Sequence, residues 1–157
     1  MNSSTGNETG ESIQRQVRIS SQGTGYLSLV ENLRGSQTVS DEPVAVGGNG
    51  EGFGPFELLA ASLGTCTVAT LKMYARRKQW PLIDLVVELK YQRAGEGGLP
   101  KDGGDQLLRQ MSFVGPLDRQ QIERLAEIAT RCPVARALAG ANIAIVDLFE
   151  SAGSATD

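Results

Sequence analysis

The chain has 157 residues and no histidine. Without an imidazole, Ser-His-Asp and Cys-His catalysis are excluded and the commonest zinc ligand is missing. Cysteine is scarce as well. Cys66 and Cys132 are the 2 cysteines of the chain, too few for a disulfide framework. Positive charge is not in excess: 15 Lys and Arg stand against 18 Asp and Glu, a formal net charge of -3. The molecule therefore offers no general attraction to nucleic acid or to an anionic membrane surface. Long apolar runs are lacking too. The longest, Leu58 to Ala69, is interrupted by Ser62, Gly64, Thr65 and Thr67, short of the roughly 20 residues that span a bilayer. The polar start, Met1 to Gln14, has neither the basic nor the apolar region of a secretory signal. A cytoplasmic location is expected, and there idle thiols stay reduced.

What is present suffices for one core, since 40% of the 157 residues are hydrophobic. The expectation is one α+β domain over residues 14–150, with 1–13 and 151–157 as disordered tails. Gln14 to Ser20 and Thr24 to Val30 suit strands, and Ser21-Gln22-Gly23 between them reads as the tight turn of a hairpin. A third short strand at Gln37 to Ser40 precedes Asp41-Glu42-Pro43 and the glycines 47, 48, 50, 52 and 54, which read as a mobile loop. Pro55 then opens a long helix, with Glu57 placed to cap its free donors, running to about Gln79 and stopped by Pro81. Its first three turns are apolar or small on every side, the pattern of a buried helix. So many small residues would admit a second helix closely, one from another subunit included. Ile83 to Tyr91 alternates as a half-buried strand, and Leu107 to Val114 reads as its antiparallel neighbour across a flexible loop, Ala94 to Asp105. Asp118 and Gln121 form a capping box for a second helix. Cys132-Pro133 breaks that helix and starts a short third one, and Asn142 to Leu148 reads as a last strand.

The chemistry rests on the two thiols, and for each two readings stand. Cys66, within the buried helix, is either a small hydrophobe in a core or a reactive thiol, and the second requires an arginine or another positive field brought in from elsewhere in the fold. Cys132 precedes a proline suited to a first helical position, which makes it an N-cap at the positive end of a helix dipole, a place that favours negative charge. Its other reading is a small residue at a helix junction. A separation of 66 residues does not say whether the two sulfurs meet.

The segment Gly54-Pro55-Phe56-Glu57-Leu58-Leu59-Ala60-Ala61-Ser62-Leu63-Gly64-Thr65-Cys66-Thr67, followed by Met73-Tyr74-Ala75-Arg76-Arg77-Lys78, resembles the central helix of the OsmC/Ohr family, the osmotically induced and organic hydroperoxide resistance proteins. Ile128-Ala129-Thr130-Arg131-Cys132-Pro133-Val134 resembles that family's second-cysteine segment, and the order of elements agrees over about residues 14 to 150. The resemblance implies an intertwined homodimer with sites at the subunit interface, and thiol-dependent reduction of organic hydroperoxides with an external dithiol as reductant and no metal or organic cofactor. By the same resemblance Cys66 is the peroxidatic thiol and Cys132 the resolving one. In the peroxidase members a glutamate and an upstream arginine hold the reactive thiolate. The glutamate position is Phe56 here, with Glu57 beside it, and the arginine position is Val46, with Arg34 the nearest upstream arginine. Glu57 and Arg34 are thus the candidates for the activating pair. Two alternatives stand beside the peroxidase: a module binding a small hydrophobic ligand, and another thiol-transfer chemistry led by Cys132.

Overall fold

The computed structural model describes residues 15–140, which form two compact units, one reaching Leu58 and one starting at Leu59. The strand expected over Asn142 to Leu148 and the two expected tails lie outside the described residues. The architecture is mixed α+β with antiparallel pairing throughout the named strands, as the sequence predicts.

In the first unit β1 (Val17–Ser21), β2 (Ser28–Asn32) and β3 (Gln37–Ser40) form a sheet in that order. The register pairs Val17 with Asn32 and Ser21 with Ser28, so the connection is longer than the predicted tight turn. Gln22 N–H donates to Leu27 O at 2.8 Å, with Gly23 in the left-handed region. Gly23 and Gly25 are costly to fix in a strand, and the ladder starts after them. The glycine-rich segment, read from the sequence as a mobile loop, is held by local hydrogen bonds. Val44–Val46 makes a 3-10 turn, and the Asp41 carboxylate gathers the rest. Its Oδ1 accepts from Glu42 N–H at 2.9 Å, and its Oδ2 accepts from Asn49 N–H at 3.0 Å and Glu51 N–H at 3.2 Å. Burial pushes the Asp41 carboxyl up, but backbone N–H bonds, those of Glu51, Asn49 and Glu42 first, outweigh it and hold the group below its ordinary value. Two of the glycines are dictated by close approach. A Cβ on Gly48 would fall 1.8 Å from Glu42 O, and one on Gly52 would fall 2.5 Å from Val39 O.

Helix α1 (Pro55–Lys78) starts as the sequence predicts, with Pro55 in its first turn and Gly54 N–H donating to Glu57 Oε2 at 2.7 Å. It ends on Gln79, which takes a left-handed conformation while Trp80 N–H returns to Ala75 O at 2.9 Å, closing the last turn in the manner of a Schellman motif. By length and composition alone α1 is apolar enough to cross a membrane. Its buried residues nonetheless fall on one stripe, Ala60, Leu63, Gly64, Thr67, Leu71 and Ala75, at the three- and four-residue intervals of a core-facing helix. All-round burial is therefore not found within the single chain. The opposite side, including Ser62 and Met73, is exposed, because one chain supplies packing partners for one face.

In the second unit that stripe joins β4 (Asp84–Gln92), β5 (Gln106–Val114) and α2 (Arg119–Ala129). The strands pair antiparallel from Asp84↔Val114 to Gln92↔Gln106. The inward alternation of β4 starts at Leu85, while Ile83, assigned to that face from the sequence, is 70% exposed ahead of the strand. The 94–105 loop, predicted flexible, is closed at its base: the Asp105 carboxylate accepts from Ala94 N–H at 2.8 Å and from the Tyr91 hydroxyl. The core is Leu71 and Ala75 of α1, Leu85 of β4, and Leu125, Ile128 and Ala129 of α2. The predicted capping box is complete, with Asp118 Oδ1 accepting from Gln121 N–H at 2.7 Å and Gln121 Oε1 accepting from Asp118 N–H at 3.0 Å. Arg124 Nε donates to Tyr74 Oη at 3.2 Å, fastening α2 to α1 and holding the Tyr74 phenol below its ordinary value. The last described element is α3 (Pro133–Gly140).

Two outcomes test this packing. Leu125 is fully buried, so Leu125→Ala should lower the unfolding free energy in a urea titration by about 2–5 kcal/mol; a loss below about 0.5 kcal/mol would contradict the assigned core. Asp41 has a depressed folded-state pKa, so its contribution is present above the unfolded value of 3.8 and is lost as pH falls through the folded one. Amide protection at Asn49 and Glu51, corrected for intrinsic exchange, should therefore hold from neutral pH down to that range and collapse below it. Asp41→Asn should lose it at pH 7.

Candidate functional site

Cys132 lies at the junction between α2 and α3, where Pro133 stops one helix and starts the next. Its N–H donates to Ala129 O at 3.4 Å, and its own carbonyl accepts from Arg136 N–H at 3.1 Å. The thiol sulfur accepts from Ala135 N–H at 3.3 Å. Cys132 thus takes the place of an N-cap residue, with sulfur where oxygen usually stands, as the proline predicted. It is 0% exposed.

The sulfur faces α1. Cys132 Sγ lies 4.0 Å from Thr67 Oγ1, and Thr67 is itself 0% exposed. Thr67 adjoins Cys66, so the junction that carries the second thiol packs on the turn of α1 that carries the first. Cys66 stands at the margin of the buried stripe and is half-buried, less enclosed than the sequence pattern suggested. A third group enters from β5. Arg109 Nη1 donates to Thr67 Oγ1 at 2.9 Å and to Ala129 O at 3.0 Å.

Arg109 and Thr67 were not among the residues picked from the sequence. Their signal is nonetheless there: Leu107, Arg109, Met111 and Phe113 share the inner face of β5, and an arginine in an otherwise apolar alternation marks a cation that must be met by a partner. Of the other two candidates, Glu57 is engaged at the start of α1 by Gly54 N–H. Arg34 is exposed in the turn between β2 and β3, where its N–H donates to Asn32 Oδ1 at 2.9 Å. Both belong to the first unit and both cysteines to the second. An apolar groove of about 400 Å³ runs between α1 and β4, lined by Ala61, Gly64, Thr65, Val68, Val87 and Leu89 among others. Among the described residues no group of three or more Cys, Asp or Glu could hold a metal ion.

The family model described as OsmC-like protein matches residues 48–146, a span that contains both cysteines, Thr67 and Arg109. No curated protein matches the chain. Among solved structures it is similar to an OsmC-like protein from Mycoplasma pneumoniae, at 20% identity and a TM-score of 0.66 over 83% of this chain and 90% of that one. It is similar to an organic hydroperoxide resistance protein from Legionella pneumophila at 22% identity and a TM-score of 0.57, covering 80% and 90%. The organic hydroperoxide resistance protein OhrB of Bacillus subtilis matches at 19% identity and a TM-score of 0.55, covering 80% and 91%. At these identities the structures support the fold.

The difference in enclosure between the two thiols has a direct readout. In the native reduced protein iodoacetamide should label Cys66 well before Cys132, and the gap should close in denaturant, as followed by peptide mass spectrometry. Equal labelling rates in the folded state would contradict the burial of Cys132.

Proposed function

We propose, from the premise that this chain belongs to the OsmC-like family, that it is a cytoplasmic thiol-dependent peroxidase reducing organic hydroperoxides through Cys66 and Cys132. The observation that carries this reading is the 4.0 Å approach of Cys132 Sγ to Thr67, the residue next to Cys66. It puts the second thiol against the turn of helix from which the first would react.

The reaction follows from thiol chemistry. The Cys66 thiolate attacks the peroxide; an S–O bond forms, the O–O bond breaks, and the alkoxide takes up a proton to leave as the alcohol. Cys66 is then a sulfenic acid. The Cys132 thiolate attacks its sulfur, and hydroxide leaves and is protonated to water as the disulfide forms. An external dithiol restores both thiols by exchange and is itself oxidised. Glu57 and Arg34 are proposed as the pair that activates Cys66. The groove between α1 and β4 suits the apolar tail of an organic hydroperoxide better than it suits hydrogen peroxide. A homodimer is proposed as the working form. Val17, Ile19 and Tyr26 of the first unit and Met73 of α1 are exposed apolar residues that such an assembly would cover.

The same groove would serve a module that binds a small hydrophobic ligand without chemistry. One experiment separates the readings. Reduced protein is mixed anaerobically with one equivalent of cumene hydroperoxide or of hydrogen peroxide, and peroxide and free thiols are followed in wild type, Cys66→Ser and Cys132→Ser. Faster loss of the organic peroxide with both thiols consumed is expected. Cys66→Ser should abolish it, and Cys132→Ser should leave one turnover and a dimedone-reactive sulfenic acid. Turnover no faster than that of free dithiol would refute the peroxidase. Retained ligand binding in the double serine variant would then support the binding module.

A further inference from the structure

We propose that Arg109 is a positioning residue for Cys132, acting through Thr67 and through the carbonyl of Ala129 to hold the second sulfur in place for attack on the first; this rests on the reading of Cys132 as the resolving thiol.

The hydrogen bonds of Thr67 leave little choice. A threonine hydroxyl has one proton and two acceptor sites. The proton goes to Leu63 O at 2.8 Å, one acceptor site takes the Arg109 N–H at 2.9 Å, and the remaining site faces Cys132 Sγ at 4.0 Å. In this state the hydroxyl can accept the S–H. When the thiol proton leaves, the hydroxyl can rotate away from Leu63 O and donate to the sulfur instead, while Arg109 keeps its hold on the oxygen. Ala135 N–H already points at the sulfur from the other side, at 3.3 Å. The thiolate would then have two donors and a guanidinium one atom behind one of them.

The second contact of Arg109 converges on the same residue. Ala129 O accepts both the Arg109 N–H at 3.0 Å and the Cys132 N–H at 3.4 Å. One guanidinium nitrogen thus sets the hydroxyl that faces the sulfur and the carbonyl that receives the backbone of the same cysteine. Arg109 is committed to this pair of contacts. Among the described residues the four ion pairs engage Lys72, Arg119, Arg124 and Arg131, while Arg109, half-buried on the inner face of β5, meets a neutral hydroxyl and a neutral carbonyl.

The test uses the full chain in two settings. The first needs no peroxide: one equivalent of dithiobis-nitrobenzoate forms a mixed disulfide on Cys66, and attack by Cys132 closes the protein disulfide and releases a second nitrothiophenolate, whose absorbance gives the closure rate. Arg109→Gln, which keeps N–H donors without the charge, should slow closure about tenfold, as for the loss of one charge-assisted hydrogen bond, and Arg109→Lys should restore most of the wild-type rate. With one equivalent of cumene hydroperoxide in place of the aromatic disulfide, closure should slow alike. Thr67→Val, equal in size but without the hydroxyl, should slow closure in the same way and serves if the arginine variants fail to fold. Unchanged closure in Arg109→Gln or, failing that variant, in Thr67→Val would overturn the proposal even if thermal stability fell. If wild type consumes no peroxide, the peroxidase reading fails, and the nitrothiophenolate release still decides the part played by Arg109.

Discussion

The buried stripe of α1 is the constraint on which the second unit depends. Ala60, Leu63, Gly64, Thr67, Leu71 and Ala75 turn one side of a 24-residue helix inward, and β4, β5 and α2 supply what that side packs against. The stripe is narrow and mixes small residues, Gly64 among them, with Leu63 and Leu71. The strands can therefore come close near Gly64, where an added Cβ would lie 2.8 Å from Leu89 Cδ1, while Leu71 and Ala75 lead into the shared core with Leu125 and Ala129. Thr67 is the one hydroxyl on this inward face. A buried hydroxyl needs partners within the protein, and the nearest sources are its own helix and whatever faces it from the packed layer. The polar network at the candidate site is thus a consequence of where the stripe places a threonine.

Arg109 makes that consequence costly enough to be informative. An arginine on the inner face of a hairpin, between Leu107 and Met111, loses hydration that two neutral acceptors restore in part. For packing alone an apolar residue would be the cheaper choice, and buried charged groups are often no more stabilising than hydrophobic replacements of similar volume. An energetic cost of this kind is usual where a site needs a fixed positive field. A reactive Cys66 requires such a field from elsewhere in the fold, and the packing brings Arg109 to Thr67 and to the Ala129 carbonyl.

Much of this was legible in order along the chain because local physics sets it. The capping box of α2, the proline start of α1, the alternation of β4 and the Cys-Pro junction are each decided within a few residues, and each is found. The departures come from decisions made at a distance. Whether α1 is buried on one side or all round depends on how many partners the chain offers, and its apolar composition is the same in both cases. Asp41 reads from the sequence as part of a mobile loop because the N–H groups that gather on it come from as far as Glu51. Thr67 and Arg109 stand 42 residues apart, and Thr67 and Cys132 stand 65 apart. No periodicity within β5 says which residue of another element its inward arginine will meet.

The first unit shows the same limit from the other side. Among its described residues only Asp41 and Gly54 are buried, so its three strands carry valine, isoleucine and leucine side chains without a core of their own. A small sheet in that condition gains little from burial and needs cover to be stable. The outward side of α1 is in the same position, with small residues where a second helix could approach and Met73 65% exposed among them. A second copy, as proposed above, would be one source of such cover, since a self-complementary contact closes after two subunits. In the proposed homodimer a helix from the partner against the outward side of α1 would give its all-round apolar pattern a physical reason.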